Sequence, residues 1–136
     1  VNTLEHRILI VDDDESIRNA FSKILTRHDY RVRTAGTAEE ALVLMNEEPA
    51  WVLFMDLNLP GMDGVELCRR VRSHWPMAVA YAVTGYASLF ELTGCRSAGF
   101  EDYFTKPVLI EDLLTAAERA FEKLERWKST SAARSA

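Results

Sequence analysis

Five short strand-like runs, each followed by a helix-like pattern and four of them stopped by a polar group, constrain this chain more than any other feature. Arg7 to Val11 is a run of β-branched type ended abruptly by Asp12, Asp13 and Asp14, the mark of a buried strand. Trp51 to Met55 is the most apolar run and ends at Asp56. Met77 to Val83 ends at Thr84 and Gly85, and Glu101 to Thr105 is closed by Lys106-Pro107. Arg31 to Ala35 alternates, as an edge or half-buried strand does.

Between these runs the period changes from two to that of a helix. Ile17, Phe21, Ile24 and Leu25 fall on one helical face. Thr37 with Glu40 resembles a capping box ahead of Ala41, Leu42 and Met45. Pro60 to Gly64 is a turn cluster, after which Val65, Cys68, Val71 and Trp75 mark a third face. Ile110, Leu113, Leu114, Ala117, Phe121 and Leu124 define a clear last helix. Ser88 to Ala98 is only weakly periodic, and Gly94 inside it costs about 1 kcal/mol relative to alanine, so this helix is expected to be mobile or to end early.

Strands alternating with helices imply an α/β fold with a five-stranded parallel sheet covered on both faces, because parallel strands need crossover connections. The 136 residues fit one domain, with no internal repeat and no dividing linker. The expected folded unit is 1–127, and the short basic segment 128–136 reads as a solvated or disordered tail or the start of a linker. A net charge of −5 is unhelpful for direct nucleic-acid contact. No apolar run is long enough to span a bilayer and the amino-terminal residues are polar, so no membrane partner and a cytoplasmic location are expected. Cys68 and Cys95 sit in apolar stretches and read as two small buried side chains.

In an open parallel sheet, ligands bind outside the carboxyl ends of the strands. That edge would gather Asp12, Asp13, Asp56, Thr84 and Lys106. Each alone has a bland reading: an acidic first helical turn, a turn cap, a strand-end hydroxyl, a solvated charge. All together they form one complementary set. Three carboxylates crowded together repel, and Lys106 supplies one positive charge against them. A hard divalent cation such as Mg²⁺ (or Mn²⁺) would complete the balance, since every ligand offered is oxygen. Asp56 then becomes a plausible nucleophile toward phosphorus, with the metal, Lys106 and the Thr84 hydroxyl arranged around the transferring phosphoryl oxygens.

Ile-Leu-Ile-Val-Asp12-Asp13-Asp14, Met55-Asp56-Leu-Asn-Leu-Pro60-Gly-Met-Asp-Gly64, Val83-Thr84-Gly85 and Tyr103-Phe-Thr-Lys106-Pro107 together resemble the receiver domains of two-component response regulators, over Arg7 to about Trp127. The resemblance implies a flavodoxin-like doubly wound (βα)5 fold with strand order 2-1-3-4-5. It implies Asp56 as phosphoacceptor, with Asp13, Asp56 and the Asn58 backbone carbonyl on Mg²⁺ and Asp12 acting mainly through water. Lys106 would pair with the phosphorylated Asp56, across a commonly cis peptide to Pro107. Thr84 would move toward the phosphoryl group, and Tyr103 would turn inward with it.

The partners so implied are a sensor histidine kinase or histidine phosphotransfer protein as donor, and a downstream protein target at the face of the fourth helix, fifth strand and fifth helix. The unit would be a monomer or a phosphorylation-dependent dimer, a signalling switch that assists its own phosphorylation and dephosphorylation. Tyr86, two residues after Thr84, is expected to shield the acyl phosphate from water. A small aspartyl-phosphate phosphatase would need a second aspartate two positions after the nucleophile, where this chain has Asn58. A flavodoxin would need a hydroxyl-rich phosphate loop where Asp12 to Asp14 stand. The nearer alternative is a receiver belonging to a hybrid kinase or a multidomain regulator.

Overall fold

The computed structural model describes residues 5–85 and 89–135, with side chains described outside 89–91 and 130–135. The strands are β1 (Arg7–Val11), β2 (Arg31–Ala35), β3 (Val52–Asp56), β4 (Val79–Thr84) and β5 (Asp102–Thr105). They alternate with α1 (Glu15–Arg27), α2 (Ala38–Glu47), α3 (Gly64–His74), α4 (Leu89–Ala98) and α5 (Ile110–Ser135). All pairings are parallel, in the order β2-β1-β3-β4-β5. The helix alternation is the one expected from the pattern, and the strand order is the one the family resemblance implies.

Period-two alternation distributes the inner strands between two cores. Leu9 and Val11 of β1, Leu53 and Met55 of β3, and Ala80 and Ala82 of β4 face one side, where they meet Ala41 and Met45 of α2 and Leu67, Cys68 and Val71 of α3. Ile8, Ile10, Val52, Phe54, Val79, Tyr81 and Val83 face the other, against Leu25 of α1 and Leu113, Ala117, Phe121 and Leu124 of α5. The Tyr81 hydroxyl reaches across that second core to donate to the Ala116 carbonyl at 3.1 Å. Its burial, reinforced by Glu101 and Asp102, pushes the phenol up to about 12.

Helix ends follow local chemistry. Thr37 caps α2 through the Glu40 N–H at 3.1 Å, while the Glu40 carboxylate reaches back to the Gly36 N–H, also at 3.1 Å. α4 runs unbroken through Gly94 and stops at Gly99, whose φ of +103° lets Phe100 N–H bond back to the Cys95 carbonyl. The early end expected there does not occur.

Three boundaries differ from the sequence reading. Met77 lies in the turn before β4 and is 45% exposed, so the strand begins two residues later than its apolar run. Trp75 stands just beyond α3 as its C-cap and still packs against this core, to which Leu67 adds a further buried side chain. The last helix, α5, runs past Trp127 to Ser135, so its boundary falls beyond the expected 1–127 unit. Lys128 to Ser135 contains neither proline nor glycine, and nothing in its backbone chemistry interrupts a helix already nucleated and packed upstream.

Candidate functional site

The carboxyl ends of β1, β3, β4 and β5 converge on one acidic cluster. Oxygens of Asp12, Asp13 and Asp56 all lie within 4.8 Å of one another. Asp12 and Asp56 are buried, at 2% and 5% exposure, while Asp13 faces solvent. Asp14 is excluded from the cluster because it caps α1: its carboxylate accepts from the Ser16 hydroxyl at 2.7 Å and the Ser16 N–H at 2.9 Å. Those bonds hold Asp14 below the ordinary carboxylate value.

Buried carboxylates require partners, and each one here is provided for. Asp56 Oδ1 accepts from the Asn58 N–H at 3.0 Å, a local turn that fixes the side chain's orientation. Asp12 Oδ1 accepts from the Asp14 N–H at 2.9 Å in the same manner. Lys106 Nζ lies between the two remaining oxygens, 2.9 Å from Asp12 Oδ2 and 3.1 Å from Asp56 Oδ2. Burial pulls the Lys106 ammonium down, but its bonds to Asp12 and Asp56 and their charges together outweigh this and hold it above its ordinary value.

The backbone places these groups. Asp12 N–H donates to the Ala35 carbonyl at 3.1 Å, extending the β1–β2 ladder into the site. Lys106 N–H donates to the Thr84 carbonyl at 2.8 Å, so the lysine leaves β5 directly beside the end of β4. The Lys106–Pro107 peptide is cis. Thr84 is fully buried at the end of β4, the strand that pairs β3 through Asp56 and Val83. Gly64 closes the loop after β3: its N–H donates to the Leu57 carbonyl at 3.1 Å, and its Cα has no room for a side chain against the Asp56 and Leu57 backbone.

Asp12, Asp13, Asp56, Thr84 and Lys106 are therefore brought to one edge. Asn58 adjoins them through its backbone, with its side chain exposed. Tyr103 is not among them: it is 42% exposed and borders a hollow with Leu92, Cys95 and Phe100 between α4 and β5. Tyr86 lies outside the described residues. Sequence reasoning paired Lys106 with Asp56 and missed its equally short contact to Asp12. Gly64 reads in sequence as a turn residue, and its close approach to the Asp56 and Leu57 backbone appears only in the folded chain.

The donor set fits a hard divalent cation. It offers carboxylate oxygens only, on an acidic excess of three to one over Lys106, with exposed Asp13 leaving a side open for water. Such a strand-end cluster on an open, doubly wound parallel sheet defines a flavodoxin-like fold with an acidic switch-point site.

Comparison with known proteins narrows that class. Residues 8–118 match the family model of the response regulator receiver domain, and the chain belongs to that family. It is 36% identical over 129 residues to the response regulator MprA of Mycobacterium bovis, covering 95% of this chain and 55% of that protein. It is 32% identical over 116 residues to the hydrogenase transcriptional regulatory protein HoxA of Cupriavidus necator, covering 85% and 24% respectively. The chain thus spans between about a quarter and just over half of the length of these relatives. Among solved structures, a CheY-like receiver domain protein from Methanospirillum hungatei superposes with a TM-score of 0.85 at 37% identity, covering 88% of this chain and 96% of that one. The BeF3-activated DrrB receiver domain superposes with a TM-score of 0.80 at 33% identity, covering 85% and 97%. No described helix is long and apolar enough to cross a membrane.

Proposed function

We propose that this receiver domain takes a phosphoryl group onto Asp56 from a phosphohistidine on a sensor kinase or phosphotransfer protein, in the cytoplasm. The observation that carries the reading is the buried Asp56 carboxylate, paired with Lys106 at 3.1 Å and within 4.8 Å of Asp12 and Asp13 at the carboxyl edge of the sheet. An Asp56 oxygen attacks phosphorus, the P–N bond to the donor imidazole breaks, and the imidazole leaves with the electron pair. Asn58 N–H holds the other carboxylate oxygen and so orients the attacking one. Lys106 is already in contact and follows the charge onto the phosphoryl oxygens, where the Thr84 hydroxyl donates as well. Asp13, Asp56 and the Asn58 carbonyl would hold a Mg²⁺ or Mn²⁺ ion, with Asp12 acting through water, and the ion would neutralise charge developing on the phosphoryl group.

The exchange redistributes Lys106. In the present state it is shared between Asp12 and Asp56, and a phosphoryl dianion on Asp56 competes for it. That local change of charge, passed through Thr84 to the exposed Tyr103, would switch a protein-binding face built from α4, β5 and α5. The acyl phosphate later hydrolyses within the same site, so the domain acts as a timed signalling switch.

Intact-mass measurement after incubation with acetyl phosphate tests this. The expected result is one phosphoryl adduct that needs Mg²⁺ and is absent from Asp56→Asn. An adduct that survives in Asp56→Asn would remove Asp56 from the role.

A further inference from the structure

A second hollow lies at the opposite rim of the sheet. His6 and Tyr30 stand immediately before β1 and β2, at the amino ends of the strands, so a strand length of about 17 Å separates them from the acidic cluster. Tyr30 is set there by the turn that ends α1. Asp29 adopts a φ of +68°, its N–H donates to the Thr26 carbonyl, and the Tyr30 N–H donates to the Leu25 carbonyl at 3.2 Å. The Tyr30 ring stacks on Phe121 of α5 at a centroid distance of 5.5 Å. His6 packs on Phe121 at 4.5 Å and on Tyr30 at 6.0 Å. These three rings floor a hollow of about 430 Å³ walled by Glu118, Glu122, Glu125 and Arg126.

The walls carry an acidic excess, three carboxylates against the single guanidinium of Arg126. Glu118, Glu122 and Glu125 follow one stripe of α5 at intervals of four and three, a spacing at which like charges destabilise a helix. Glu125 meets His6 Nε2 at 3.4 Å. Glu118 and Glu122 are exposed, and among the described residues neither forms an ion pair. Lys123, on the same helix, is turned away to Glu101 at 2.8 Å. The negative field reaches the floor: burial first, and then Glu118 and Glu122, raise the Tyr30 phenol above its ordinary value.

We propose that this hollow docks an arginine or lysine side chain presented by a protein partner, with its cationic head at Glu118 and Glu122 and its aliphatic stem on the accessible parts of the Tyr30 and His6 rings. Carboxylates and aromatic faces both attract a cation, and long basic side chains carry apolar surface suited to such a floor. The hollow is wide open to solvent. That suits a side chain held by a protein surface, whereas a free small molecule needs enclosure. The site is remote from the acidic cluster, so a partner bound here leaves the phosphoacceptor edge accessible, and the proposal stands independently of the chemistry assigned to Asp56.

The test is an amide-shift titration of the whole chain with the capped tripeptide Gly-Arg-Gly, beside the same peptide carrying neutral citrulline. Saturable shifts at His6, Tyr30, Glu118 and Glu122 are expected with the arginine peptide. Binding should weaken roughly five- to tenfold with citrulline, and equally in E118Q/E122Q, whose two substitutions are exposed and leave the core intact. Equal binding of citrulline, unchanged affinity in the double variant, or shifts confined to Asp12, Asp13 and Asp56 would each overturn the proposal. So would the same shifts on concentrating the protein alone, which would assign the hollow to a second copy of this chain.

Discussion

Replacing Gly64 by alanine should damage the acceptor more than it damages the fold. A Cβ at this position would lie 2.3 Å from the Asp56 carbonyl oxygen, 2.9 Å from the Leu57 Cα and 3.0 Å from the Asp56 carbonyl carbon. Ordinary contact begins at 3.4 Å, so the nearest pair must separate by about 1 Å. All three atoms are backbone, and no rotamer change relieves the clash. The loop after β3 must therefore shift against the strand that carries the acceptor. Overpacking of this kind costs roughly 1–3 kcal/mol, offset by about 0.4–1 kcal/mol from the stiffer unfolded chain. A net loss of about 1–2 kcal/mol lowers Tm by several degrees. A displacement of about 1 Å at a reacting group can cost on the order of 10²-fold in rate.

The assay is the rate of phosphoryl adduct formation from acetyl phosphate in Mg²⁺, measured beside thermal melts. Gly94→Ala is the control, because nothing lies within 4 Å of a Cβ there and α4 should gain about 0.5–1 kcal/mol. Gly64→Ala is expected to phosphorylate at least tenfold more slowly while still folded. A variant that melts normally and phosphorylates at the wild-type rate would refute the positioning argument. One that melts early yet phosphorylates normally would confine Gly64 to packing.

Three further outcomes follow from the same contacts. Mg²⁺ should raise Tm in a saturable manner, worth about 2.7 kcal/mol at a hundred times its dissociation constant, and Asp13→Asn should abolish the rise; a rise retained in that variant would exclude Asp13 as a ligand. Stability should fall above about pH 9. Burial pushes the Cys68 thiol up to about 12 from an ordinary 9.0, so its contribution is complete below the unfolded value and is lost as the pH climbs toward the folded one. Lys106, also raised, acts in the same direction at higher pH. Urea midpoints between pH 8 and 10.5 should decline, less steeply in Cys68→Ala, and a flat wild-type profile would contradict the sign. Tyr81→Phe should cost about 0.5–1.5 kcal/mol by removing the buried hydrogen bond from the hydroxyl to the Ala116 carbonyl, which keeps its donor within α5, readable as a lower urea midpoint at unchanged slope.

Much of this architecture is legible in the chain because a parallel sheet buried on both faces demands near-continuous apolar strands. Each strand's stop is then conspicuous. Asp12, Asp56 and Thr84 interrupt hydrophobic runs, Lys106 closes the polar edge strand β5, and the rule that sites form at carboxyl ends brings all four together. Period alone does not reveal how charges are shared after folding. The contact of Lys106 with Asp12 depends on β5 leaving the sheet beside β4, a long-range geometry. Gly64 reads as a turn residue until the backbone it touches is known. The polar residues from 128 onward carry no helix signal of their own, and α5 propagates into them from its packed segment. The aromatic hollow joins residues from before β1, after α1 and within α5, and no local motif connects them. The inward turn of Tyr103 that the resemblance implies belongs to the phosphorylated state; here the ring is 42% exposed.

The central claim is that Asp56 itself carries the phosphoryl group. Borohydride reduces an acyl phosphate to an alcohol and leaves ordinary carboxylates intact, so treating the phosphorylated protein with tritiated borohydride converts the acceptor to labelled homoserine. Peptide mapping should then find the label at position 56 alone. Label at Asp12 or Asp13, or on a peptide lacking residue 56, would contradict the account.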